Sequence, residues 1–126
     1  MFTSLFMVAA IGFSGGAPVA ESNLPADVSS KIALYLLVST ACDQMVGSNA
    51  GPTARATSSS ILRGYGFTSG QVDTMFNGFI GENLSYYIDV VTRASGNRED
   101  EIRYFCSSMI EQKQKAVEEI KAHNLP

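Results

Sequence analysis

The chain has 126 residues, of which 45% are hydrophobic and 17% are charged, and its formal net charge is −3. This length predicts one domain. The nine Lys and Arg residues are spread among twelve Asp and Glu residues without a basic cluster, which argues against nucleic acid as a partner.

The first 20 residues are predicted to be a secretory signal peptide. They carry no charged side chain, and the apolar run 5–13 is followed by small, turn-forming residues. Cleavage is expected at about residues 20–22, which leaves 23–126 as a single helical domain. A membrane anchor is the alternative, but the apolar run is shorter than the roughly 20 residues that a span requires. We expect no membrane span after signal removal and a periplasmic or secreted protein.

A first helix is predicted over residues 26–46. Apolar positions recur there at helical spacing in two rows, which together cover more than half of the helix circumference. A helix that is apolar on most sides is central in its bundle. The alternative is a buried strand over residues 32–38, but helix-compatible sequence continues through residue 46. Gly47 is expected to end the helix.

A loop and a weaker helix are predicted next. Residues 47–51 (GSNAG) resemble a phosphate-cradling loop only in composition, because the Gly-Lys-Ser/Thr ending and a preceding strand are missing, so a linker is expected. Residues 52–62 then form a helix whose propensity is lowered by three successive serines, Ser58, Ser59 and Ser60.

A capping box is the clearest local signal for the third helix. Thr68 stands at the N-cap position and Gln71 three residues later, with Phe67 and Val72 placed as a hydrophobic staple. Apolar residues follow at helical spacing to Val91, and residues 95–96 are expected to end the helix. Gly78 and Gly81 predict a kink or a break near residue 81.

The last helix is predicted to start at Asn97 as the N-cap, with Glu99, Asp100 and Glu101 in its first turn near the positive end of the helix dipole. Its buried face includes Phe105 and Cys106. With no credible strand and short connections, the fold class is all-α, a four- to five-helix bundle.

The two cysteines are predicted to form one disulfide, Cys42–Cys106. Both fall on apolar faces of long helices, and two cysteines in a small exported domain favour such a bond. A metal site or a reactive thiol is the alternative, but the sequence has no CxxC motif and no histidine near either cysteine. We therefore predict no metal site and no cofactor.

Enzymatic residues are not evident. The only histidine, His123, lies near the C-terminus. A solvated cation at a helix end is a simpler interpretation of it than membership of a catalytic set. A weaker hypothesis is an enzyme that uses tyrosines with Asp73, Glu82 and Asp89, which requires these acids to meet in one cleft. No catalytic residue is predicted.

Two aromatic residues precede the capping box and are candidates for partner binding. Tyr65 stands between two glycines, and Phe67 follows directly. Exposed aromatic side chains on a glycine loop suit recognition of another protein. The competing interpretation, which the staple geometry favours, is that both side chains close one end of the bundle.

The order of these features resembles a known family. A signal-like segment precedes a helix with Cys42, a capping segment follows at residues 66–73, and the last helix carries Tyr104, Phe105 and Cys106. This pattern is similar to a family of small exported bacterial two-cysteine helical proteins catalogued as a domain of unknown function. The resemblance spans about residues 26–121 and implies a helical fold and an exported location, without an activity.

The sequence therefore predicts a non-enzymatic exported helical protein that binds another protein of the cell envelope, as inhibitors, immunity proteins and small chaperones do. The alternative is a carrier of a small apolar ligand in the helical core, because methionines such as Met45, Met75 and Met109 make an adaptable interior.

Overall fold

A computed structural model describes the backbone of residues 24–124 and the side chains of residues 24–122. The predicted signal peptide, with its cleavage site at about residues 20–22, lies outside the described residues, as does the side chain of His123. Within residues 24–124 the secondary structure is entirely helical. The all-α prediction is confirmed.

Four helices follow one another within the described residues, in agreement with the predicted four to five. They are α1 (Ala26–Val46), α2 (Gly51–Gly64), α3 (Ser69–Ser95) and α4 (Glu99–Asn124). Each helix packs against the other three. The connections are only three or four residues long, as in an antiparallel helical bundle.

Helix α1 is the central element, as its apolar pattern predicts. Buried residues occur on all its sides, among them Ile32, Leu36 and Leu37, which are inaccessible to solvent. The helix ends at Gly47, which adopts a left-handed conformation (φ 66°) and donates its N–H to the carbonyl of Asp43. A residue with a Cβ is strained there, so glycine suits this position.

The capping box of α3 forms as predicted. The Thr68 hydroxyl accepts the N–H of Gln71 at 3.2 Å, and the Gln71 side chain accepts the N–H of Thr68 at 2.8 Å. Phe67 and Val72 are both buried. Two otherwise unpaired amides are satisfied, which explains why α3 begins at Ser69.

Two details of α3 and α4 differ from the sequence predictions. Of the kink or break expected near Gly81, the break is absent, because α3 is one uninterrupted helix of 27 residues. Its packed face, from Val72 to Val91, offsets the low helix propensity of the two glycines. The N-cap prediction for Asn97 is wrong by one residue, since α4 begins at Glu99 and Arg98 precedes it, with the Arg98 carbonyl accepting the N–H of Ile102.

The Cys42–Cys106 disulfide is confirmed. It joins the fifth turn of α1 to the second turn of α4, with the two Cα atoms 5.8 Å apart. Both cysteines are buried in the core. The bond therefore links the central helix to the last one across 64 residues of chain.

Three serine hydroxyls in the core lack a hydrogen-bond partner among the described residues, those of Ser29, Ser39 and Ser58. We expect Ser58→Ala to raise the free energy of unfolding by about 1–2 kcal/mol, because alanine removes a buried unsatisfied oxygen and has higher helix propensity. Urea denaturation measures the change. Ser60→Ala, in the same helix but exposed, is the matched control and should gain only about 0.5 kcal/mol. Equal gains would contradict the role of burial.

Candidate functional site

The predicted partner-binding residues Tyr65 and Phe67 lie at the end of α2, and both contact the core. Phe67 is 3% exposed and belongs to the core itself, while Tyr65 is half-buried and packs against it. This is the arrangement of the competing interpretation, in which both side chains close one end of the bundle.

The three acids of the enzyme hypothesis are all exposed on α3 and do not meet in a cleft. Asp73 lies 3.7 Å from the guanidinium of Arg55, and Asp89 lies 2.9 Å from that of Arg93. Asp73 and Glu82 project to opposite sides of α3, because nine residues of an α-helix correspond to two and a half turns. These carboxylates are surface groups.

Asp43 holds the loop between α1 and α2. Its Oδ1 accepts the Ser48 hydroxyl at 2.6 Å and the N–H of Ala50 at 2.7 Å, and its Oδ2 accepts the N–H of Gly51 at 2.8 Å. The amides of the GSNAG loop therefore bind a carboxylate of the protein itself at the positive end of α2. A Cβ at Gly51 would collide with Asp43 Oδ2, so this contact requires glycine.

An open groove of about 590 Å³ lies next to this loop, between α1, α2 and α3. We call it the α1–α2–α3 groove. It is lined by Thr40, Asp43, Gly51, Pro52, Arg55, Asn77, Ile80 and Gly81. A Cβ added at Gly81 would meet no atom within 4 Å, and the same holds for Gly78 one turn before it. Each glycine costs the helix up to about 1 kcal/mol against alanine, and no contact within the described chain requires either one.

A second groove, of about 380 Å³, lies between the end of α1 and the first half of α4. Arg103 spans one side of it. One Nη donates to the carbonyl of Val46 at 3.0 Å, at the negative end of α1, and the other donates to Glu99 at 2.6 Å. Cys106 lines this groove, but it is almost inaccessible to solvent. The arginine thus has a structural role, because it joins α4 to the end of α1.

The outer face of α4 carries the most exposed large hydrophobic side chain of the described residues, Tyr104, which is 76% exposed. The residues around it on the same face are exposed and either acidic or small: Asp100, Glu101, Ser107, Ser108 and Glu111. We call these six residues the Tyr104 face. The sequence predictions do not include this face. The signal that predicts it is the helical position of Tyr104, about 200° around the helix from the inward-facing Cys106.

Shifted pKa values occur at three groups. Burial raises the pKa of the Tyr35 and Tyr87 phenols, and Glu118 adds to the effect on Tyr35. The hydrogen bond from Arg98 lowers the pKa of Asp100. None of these groups lines either groove, so the shifts reflect core burial and a surface ion pair.

No three His, Cys, Asp or Glu side chains among the described residues are grouped to hold a metal ion. None of α1 to α4 is both long and apolar enough to cross a bilayer.

Comparisons with protein families, with curated proteins and with solved structures find no match for this chain. The resemblance to exported two-cysteine proteins stays a prediction.

Proposed function

We propose that the protein is an exported, non-enzymatic helical domain that binds another protein of the cell envelope through the Tyr104 face. The observation that carries the proposal is the exposure of Tyr104 on a helix that the disulfide holds in place. Tyrosine offers a large contact area with few rotatable bonds, and it is enriched among the residues that dominate binding energy.

The position of the disulfide supports this function. Cys106 is two residues after Tyr104, so the covalent link to α1 restrains the turn of α4 that displays the ring. A restrained surface loses less conformational entropy when it binds, and more of the contact energy is retained as affinity.

The surroundings of Tyr104 indicate the chemistry of the partner. Ser107 and Ser108 are small, so the ring protrudes from the helix. Three exposed acids, Asp100, Glu101 and Glu111, border it, and two of them form surface ion pairs, Asp100 with Arg98 and Glu111 with Lys115. A partner with an apolar pocket and a polar rim that carries a basic group opposite Glu101 would complement this face.

Export is part of the same proposal. The disulfide supports it, because such bonds persist in oxidising compartments outside the cytoplasm. The sequence pattern of residues 1–20 and the resemblance to exported two-cysteine proteins agree with this location. The alternative function is an apolar carrier. The two grooves described above are open and bordered by charged residues, which suits an apolar ligand less than an enclosed cavity would. Protein binding is therefore preferred.

A photo-crosslinking experiment tests the proposal. A benzophenone amino acid is placed at position 104 of the full chain, or at position 86 as a control, because Tyr86 is also exposed, at 52%, but lies on α3. The crosslinked partner is identified, purified and titrated against the wild-type chain, Tyr104→Ala and Tyr86→Ala. We expect Tyr104→Ala to weaken binding at least about 30-fold, as for a dominant contact residue, and Tyr86→Ala to have less than about a twofold effect.

Two results would overturn it. One is crosslinking at position 86 but not at position 104 under identical illumination. The other is a purified partner whose affinity is unchanged by Tyr104→Ala.

A further inference from the structure

The α1–α2–α3 groove contains Arg55, for which the described residues provide an ion pair and a ring contact but no hydrogen bond. The Arg55 guanidinium lies over the ring of Phe76, 5.5 Å from its centroid. Its nearest carboxylate, that of Asp73, is 3.7 Å away, which is too long for a hydrogen bond. The side chain is 35% exposed. A planar group with five donors is thus held in place at the groove and remains available to a carboxylate.

The opposite charge in the groove belongs to Asp43. Its Oδ1 already accepts two hydrogen bonds, but Oδ2 accepts only the Gly51 amide. A carboxylate oxygen has two acceptor positions, so Oδ2 retains one. Arg55 lies one turn after Gly51 on α2, so its backbone is about 6 Å further along the helix axis. The side chains of Asp43 and Arg55 both line the groove.

The space between these two groups is apolar and open. Pro52 and Ile80 line it, and Gly81 leaves room on the α3 side because nothing occupies the position of a side chain there. Gly81 has helical backbone angles, and no packing contact requires glycine at this position. The effect of glycine here is to leave this part of the groove open. A short aliphatic chain fits a surface of this kind.

We propose that this groove binds a short zwitterionic amino carboxylate, with its carboxylate on Arg55 and its ammonium group on Oδ2 of Asp43. The charge balance of the groove selects a zwitterion over a simple anion, and the hydrogen-bond donors of Arg55, which a simple cation cannot use, select it over a simple cation. Asp43 and Asp73 already outnumber Arg55, so a monoanion would add a second uncompensated negative charge, whereas a zwitterion adds none. The site lies on α1, α2 and α3, and it is independent of the Tyr104 face on α4.

The test is a titration of the isotope-labelled full chain by NMR with three probes that share a four-carbon chain, 4-aminobutyrate, butyrate and butylamine. We expect 4-aminobutyrate to shift the amides of Gly51, Arg55 and Gly81 in a saturable manner. Butyrate and butylamine, which each lack one charge, should bind at least about tenfold more weakly. No saturation with 4-aminobutyrate up to roughly 50 mM, or equal binding of the three probes, overturns the proposal.

Variants with matched controls locate the site. Arg55→Gln removes the proposed carboxylate anchor, and Arg63→Gln removes an exposed arginine of the same helix that does not line the groove. Gly81→Leu fills the groove, and Gly78→Leu places the same side chain one turn away. We expect the first member of each pair to weaken 4-aminobutyrate binding at least about tenfold, and the second to leave it within about twofold. Equal effects within both pairs would place the ligand elsewhere and refute this site.

Discussion

Reduction of the Cys42–Cys106 disulfide should lower the free energy of unfolding by about 4 kcal/mol. The bond closes a loop of 64 residues, and in the chain-entropy model a loop of this size removes roughly that much conformational entropy from the unfolded chain. Both sulfurs are buried at the contact between α1 and α4, so reduction also weakens the attachment of α4 to the central helix. Urea denaturation of the oxidised and the reduced protein, followed by circular dichroism, measures the difference.

A variant without cysteines serves as the control. Cys42→Ala with Cys106→Ala should be as unstable as the reduced protein or less stable, and a reductant should not change its stability. Thiol titration of the denatured, oxidised protein should find no free thiol. Two reactive thiols, or equal unfolding midpoints with and without reductant, would contradict the expected contribution.

The second large effect is expected from Asp43→Ala, which should cost about 2 kcal/mol. The carboxylate satisfies the amides of Ala50 and Gly51 at the start of α2 and the hydroxyl of Ser48. Loss of a side chain that caps a helix typically costs about 1 kcal/mol and at most about 2. Here the acceptor is a charged carboxylate that links two helices. We therefore expect the loss of stability to lie at the upper end of this range.

Hydrogen exchange locates this effect in the structure. The amide protons of Ala50 and Gly51 should exchange faster in Asp43→Ala, because their acceptor is gone. Gln44→Ala is the matched control, since residue 44 is the exposed neighbour on the same helix, and it should change stability by less than about 0.5 kcal/mol. Unchanged exchange at both amides would show that Asp43 does not hold this loop in solution.

The local signals in the sequence predicted the helices well, because they act over a few residues. The limits of α1 follow from its apolar rows and from the left-handed conformation of Gly47, and the start of α3 follows from Thr68 and Gln71. Of the kink or break predicted near Gly81, the break does not occur, and the reason is physical. A helical glycine costs about 1 kcal/mol relative to alanine, whereas the buried face of α3 extends from Val72 to Val91.

The candidate sites depend on distances that the order of residues does not reveal. The α1–α2–α3 groove joins side chains from three segments of the chain, including Asp43, Arg55 and Ile80. The positions of its two charged side chains depend on residues that are distant in sequence. Asp43 accepts the amides of the α1–α2 loop, and Arg55 lies over the ring of Phe76. Such pairings form when the helices pack, and no local pattern encodes them.

The sequence alone was sufficient for the helical fold class and for the pairing of the only two cysteines, since apolar periodicity and cysteine count leave few alternatives. Which aromatic side chains are exposed was decided only by the packing of the helices. Aromatic composition marks Phe67 and Tyr104 as equally apolar, yet Phe67 is buried and Tyr104 is exposed. The disulfide orients α4 with Cys106 inward, and the geometry of the helix then turns Tyr104 outward.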